Sequence, residues 1–170
     1  TINVSIGQGH VSCTPLQLAC AQATIANSGT YYRPRLLKEL RDANGGIYRT
    51  YEGEKLWTMA VDDPHVQTVR AGMRKTVTEG TAMGKFVLTG DDIAIAGKTG
   101  TAEFGQSIDG KYKHSHAWFT AFAPFDDPEI AVVVLIESGG EGATYAVPVA
   151  DAILAAHFGK TPPPPATPPP

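Results

Sequence analysis

The sequence predicts an α+β domain, an antiparallel sheet with helices on both faces. Three observations carry this. Capped apolar segments opening at Thr14-Pro15 and Asp63-Pro64 read as helices, three strand-type runs stand at 93–96, 116–123 and 130–136, and the short connections between the runs suit an antiparallel meander.

With 170 residues, 42% hydrophobic and 18% charged, the chain can bury one core, and nothing argues for two. A net charge of -3 with no Lys/Arg cluster sets aside nucleic acid and an anionic membrane as main partners. No apolar run approaches the roughly 20 residues that span a bilayer. The opening TINVSIGQGH has no signal-peptide pattern and no Met, so the chain reads as a piece of a longer protein. Cys13 and Cys20, at opposite ends of two helical turns, lie about 10 Å apart, too far for a bridge. They match no zinc spacing and are expected to be buried free thiols.

Taken in order, residues 3–12 form a Gly-punctuated loop whose Gly7-x-Gly9 lacks the third glycine of a dinucleotide fingerprint. Thr14 as N-cap, Pro15 in the first turn and Gln17 in a capping box start a helix that Gly29 closes. Because it is apolar nearly all round, it is expected to be central and buried. Leu36–Leu40 and Ile47–Tyr51 flank a Gly-rich turn and read as a hairpin with a solvated charged face. The second helix carries Val66, Val69, Met73 and Val77 on its apolar stripe and ends at Glu79-Gly80.

Ile93 to Ala96 read as a strand. A polar loop, Phe104–Lys113, leads to the next strand, His116–Ala123. IAVVVLI at 130–136 makes the last, which should be buried on both faces because it shows no alternation. A helix from Tyr145 to Phe158 should lay Val149, Ile153, Leu154 and Ala156 on the sheet. From Thr161, TPPPPATPPP is a polyproline tail or linker, which divides the chain into a domain at 1–160 and a tail at 161–170.

The chemistry concentrates at Lys98-Thr99-Gly100-Thr101, the exit of the 93–96 strand. An ammonium supplies a point charge for an anionic group, the two hydroxyls hydrogen-bond a carboxylate, and Gly100 admits a close backbone approach. At a sheet border, the free N–H groups also suit an added peptide strand or an oxyanion. His114 and His116 share a strand face, but no Cys, Asp or Glu joins them at ligand spacing, so no metal or cofactor is assigned.

Three ordered stretches resemble one family. SIGQGHVSCTPLQLA, GMRKTVTEGTA, and GKTGTAE with HAWFTAFAP look like the transpeptidase domain of class B penicillin-binding proteins, the elongation-type penicillin-binding protein 2 branch. The resemblance implies a partial serine DD-peptidase and β-lactamase-like fold. It also implies peptidoglycan D,D-transpeptidation, acyl transfer from D-Ala-D-Ala stem peptides, and acylation by β-lactams. Carried onto this chain, Lys98 sets the positive potential and assists the proton relay. Thr99, Gly100 and Thr101 bind the substrate carboxylate and backbone, and the Thr101 N–H is half of an oxyanion hole. Implied partners are the upstream half of the same domain and a glycosyltransferase. The implied location is the extracytoplasmic face of the bacterial membrane, with the anchor upstream.

One departure limits the resemblance. Three places after Ser5, Ser12, Ser28, Ser107, Ser115 and Ser138 stand Gln, Pro, Tyr, Gly, Trp and Glu, so no Ser-x-x-Lys nucleophile exists here, and no Ser-x-Asn either. Both are expected upstream of Thr1, which makes this chain inert alone. It should also leave the IAVVVLI border open and apolar, and the isolated piece poorly soluble. Glu103, where the family often has Gln, lies near the Lys98 charge or points away. Two other readings are a non-catalytic β-lactam or muropeptide sensor of the same fold, and an interaction module with a chance Lys-Thr-Gly. The TPLQLA and HAWFTAFAP stretches favour the transpeptidase.

Overall fold

In the computed structural model, the described residues are 2–59, 64–88, 93–108 and 111–161. The Asp63 cap and the Pro-rich run past Thr161 lie outside them. The order is α1 (Ile2–Ser5), α2 (Pro15–Ala26), β1 (Thr30–Tyr32), β2 (Glu39–Arg41), β3 (Ile47–Thr50), β4 (Lys55–Thr58), α3 (Pro64–Thr78), β5 (Ala96–Ile108), β6 (Lys111–Ala123), β7 (Ile130–Ile136) and α4 (Gly142–His157). Strands β5, β6 and β7 form the antiparallel meander, with β5 at one border and β7 at the other. β2 and β3 make the expected hairpin, while β1 pairs with β4, a ladder the sequence did not reveal. None of the helices among the described residues is long and apolar enough to cross a membrane.

Local chemistry explains the start of α2. Thr14 Oγ1 accepts from the Gln17 N–H at 3.2 Å, and Gln17 Oε1 accepts from the Thr14 N–H at 2.8 Å, so two otherwise orphaned donors are paired. At its far end Gly29 adopts φ +118 and donates to Thr24 O at 2.7 Å. The expectation that α2 is buried all round is corrected: only Gln22, Thr24 and Ala26 are buried, and Leu16 is 60% exposed. Among the described residues it packs against β1, α3 and the β6–β7 part of the sheet.

The two faces of the sheet have separate cores. Ala117, Phe119, Ala121, Val132 and Val134 pack with Ala146, Val147, Ala150 and Leu154 of α4 and with the 82–88 segment. On the other face Ala96 and Phe122 meet Ala26 of α2 and Met73 of α3. β7 is therefore covered on both sides, but it is only half-buried apart from Val132 and Val134, because a border strand has one neighbour.

Several expectations are corrected by packing. β5 begins at Ala96, not Ile93. The Ile95 carbonyl is engaged by the Arg74 guanidinium at 2.9 Å instead of a strand partner, and Ile95 fills the core beneath. The polar stretch 104–113 is largely ladder, since β5 continues to Ile108 and β6 starts at Lys111. Residues 2–5 form a helical turn instead of a loop. In α3 Val69 is exposed, and Arg70 takes the buried position between Val66 and Met73. In α4 the buried face is Gly142, Ala146, Val147, Ala150, Asp151, Leu154 and Ala155, while Val149 and Ile153 are 42% and 41% exposed and Ala156 is exposed too. The helix lies so close to the sheet that small residues fill the contact. The cysteines are free, but Cys13 is exposed and Cys20 only half-buried.

Candidate active site

The Lys-Thr-Gly-Thr run sits inside β5, and its register decides which side each residue occupies. Lys98 pairs with Thr120, Thr99 with Phe119, Gly100 with Trp118 and Thr101 with Ala117. Directly opposed residues share a face and side chains alternate. Lys98 and Gly100 therefore lie on the face of α2 and α3, and Thr99 and Thr101 on the face of α4. The structure brings all four to the border but separates the ammonium from the hydroxyls.

Lys98 is exposed, and its Nζ donates to the Thr99 carbonyl at 2.5 Å. Thr99 Oγ1 lies 2.8 Å from Thr81 Oγ1 in the turn after α3. On the outer side Gln8 Nε2 donates to the Thr101 carbonyl at 3.4 Å. Within an antiparallel strand a residue's N–H and C=O project to the same side. The Thr101 N–H thus also faces away from β6, where an incoming acceptor would meet it.

Glycine is required at two places here. A methyl group on Gly97 would stand 2.5 Å from Phe119 Cζ and 2.7 Å from Thr120 O, and one on Gly100 would stand 3.1 Å from Trp118 Cβ. The strand lies flat against β6 because neither side chain exists.

Glu103 pairs with Ser115 on the Thr101 face and is exposed. Five residues of strand, about 17 Å, separate it from Lys98, and the two are on opposite faces. Phe104 stacks between the His114 ring at 5.7 Å and the His116 ring at 4.2 Å, and His116 Nδ1 accepts from the Ser138 N–H at 3.1 Å. Among the described residues no group of three or more His, Cys, Asp or Glu comes together as a metal site. A cavity of about 240 Å³ lies among Arg74, Val77, Phe86, Leu88, Ile93 and Ile95, under the approach to β5 and away from Lys98. The site is a sheet border, with no second strand beside β5 among the described residues.

Sequence reasoning missed Thr81 and Gln8 as neighbours of the run. Both lie in stretches that carried the family resemblance, GMRKTVTEGTA and SIGQG, but only the fold places them beside β5.

The described residues thus make an α+β domain, an antiparallel sheet covered on both faces with Lys-Thr-Gly-Thr on its border strand. The chain belongs to the penicillin-binding protein transpeptidase domain family, which residues 1–155 match. It is 34% identical over 166 residues to the peptidoglycan D,D-transpeptidase MrdA of Haemophilus influenzae, covering 91% of this chain and 25% of that protein. It is 38% identical over 157 residues to the peptidoglycan D,D-transpeptidase PbpA of Mycolicibacterium smegmatis, covering 89% of this chain and 30% of that one. Among solved structures, the imipenem acyl-enzyme complex of penicillin-binding protein A from M. tuberculosis superposes with a TM-score of 0.69 and 33% identity, covering 92% of this chain and 33% of its own. The chain thus spans between a quarter and a third of the length of these proteins.

Proposed function

We propose that this chain is the Lys-Thr-Gly-bearing part of a peptidoglycan D,D-transpeptidase that works at the extracytoplasmic face of a bacterial membrane. The observation that carries the reading is the outer side of β5 at Lys98-Thr99-Gly100-Thr101, which has no strand partner among the described residues, in a family whose relatives include named transpeptidases and an imipenem acyl-enzyme. An extended D-Ala-D-Ala stem peptide, or a β-lactam, lies along this border as an added strand. The Thr101 N–H donates to the oxyanion that forms on the attacked carbonyl. Lys98 leaves the Thr99 carbonyl to supply positive charge and stabilise the proton relay, and the Thr99 and Thr101 hydroxyls hold the substrate carboxylate. Serine attack comes from a segment outside these 170 residues, since no Ser-x-x-Lys occurs within them. That segment belongs to the rest of the domain, which lies against α2 and β7. Residues 1–160 are thus part of one domain and 161–170 a tail, and the whole protein works beside a glycosyltransferase partner.

Fluorescent penicillin tests this. A protein that carries this chain together with its upstream part should retain label through denaturing electrophoresis, and the 170-residue chain alone should not. Labelling of the chain alone would place a nucleophile inside it and overturn the proposal.

A further inference from the structure

Gly142, the first residue of α4, is buried directly against the backbone of β5 and β6. Gly142 is fully inside the fold, and a methyl group built on it would stand 2.5 Å from Gly100 O, 3.1 Å from Gly100 N, and closer still to Trp118 O. These are backbone atoms of a paired ladder, which cannot rotate away as the tip of a side chain can. The glycine is not there for a turn. Its backbone is ordinary helix, unlike Gly140 with φ +82 just before it. In a helix glycine costs up to about 1 kcal/mol relative to alanine. The close approach is therefore what the residue provides.

The peptide it touches matters for chemistry. The Gly100 carbonyl and the Thr101 N–H belong to one planar peptide unit, so the level of one fixes the direction of the other. We propose that Gly142 is a positioning residue for acyl transfer: by letting α4 seat directly on the Gly100 peptide, it sets the angle at which the Thr101 N–H leaves the sheet border. The inference rests on the reading of that N–H as an oxyanion donor. It assigns the glycine a role through Gly100, without contact to substrate.

The test uses the longer protein that carries the nucleophile and a slowly reacting chromogenic cephalosporin, with acylation and reversible binding resolved separately. A methyl at Gly142 moves the strand by about 1 Å, so Gly142→Ala should slow the acylation step by about 100-fold. The reversible binding constant should change by less than about threefold. Gly139→Ala is the control, because its methyl would crowd Ile136 at 2.7 Å without facing β5. It should keep the wild-type acylation rate at a comparable loss of melting temperature. A folded Gly142→Ala protein that acylates normally, or equal slowing in Gly139→Ala, overturns the proposal. If Gly142→Ala does not fold, Ala146→Val decides. That change overfills the same buried helix face one turn on. Slowed acylation with retained binding supports the proposal, and the wild-type rate overturns it. A wild-type protein that takes up no cephalosporin sinks the functional reading and this inference with it. A reactive wild type with an indifferent Gly142 sinks the inference alone.

Discussion

Among the described residues, the two faces of the central sheet each bury one charged side chain, and they use it differently. On the face of α2 and α3, Arg70 is 5% exposed; its guanidinium donates to the Ile25, Ala26 and Phe125 carbonyls and lies 4.8 Å over the Phe122 ring and 5.3 Å from that of Phe125. On the face of α4, Asp151 is 1% exposed and accepts from backbone N–H groups of the 87–88 segment, Val87 at 3.0 Å among them. Arg70 ties a helix end, a helix and a loop together with one planar fork. Asp151 pins one segment to one helix. The Arg70 face also holds the buried Gln22 and Thr120, and Thr120 is the residue opposite Lys98. The α4 face has a mainly apolar core, to which the helix brings Gly142 and several alanines beside Val147 and Leu154. One face is built to carry polarity up to the border strand, and the other to let a helix lie close behind it.

Arg70→Met gives the largest expected stability effect, because it strands carbonyls in a covered place. Each unpaired buried acceptor costs about 1–3 kcal/mol, so the unfolding free energy of the longer protein, measured by urea denaturation, should fall by about 2–4 kcal/mol. Arg70→Lys should recover little of it, since an ammonium neither forks between three carbonyls nor stacks on two rings. Full recovery by Lys would show that only charge matters, and the contrast between the faces would fail.

A smaller effect is expected at Asp151. Burial raises its carboxyl above the ordinary value of 3.8, and the backbone N–H bonds from Val87 and Leu88 offset this in part. The folded protein therefore holds that proton more tightly than the unfolded chain. The sign follows: the contribution is fully present below the unfolded value and is lost as pH rises through the folded one. Asp151→Asn should flatten the fall in unfolding free energy as pH is raised from 3.8 into the range above it. An unchanged slope would mean that the carboxyl is not the group responsible.

Parts of this architecture are plain in the residues. The Thr14-Pro15-x-Gln17 cap reads directly, because capping is local chemistry, and so does the border position of the Lys98 strand, because short connections force a meander. The buried face of α4 is legible only in part, at Leu154, which is fully buried as expected. Val149 and Ile153 are the obvious apolar candidates, yet alanines and Gly142 occupy the contact, because the interhelical or helix-to-sheet distance is a tertiary property. Arg70 was hidden for a related reason. Its spacing from Val66 and Met73 placed it on the stripe, but only the carbonyls of α2 and Phe125 make burial of a charge tolerable. At the site, the residue types are readable, whereas the division of Lys98 and Thr99 between opposite faces follows from register.

The most direct measurement is the rate of β-lactam acylation in the longer protein with Lys98→Ala. Lys98 is exposed and donates to its neighbour's carbonyl, so its loss should leave the unfolding midpoint unchanged. If it provides charge for the transition state at this border, the acylation rate should fall by about 10²-fold or more. A folded Lys98→Ala protein that acylates at the wild-type rate would contradict the account.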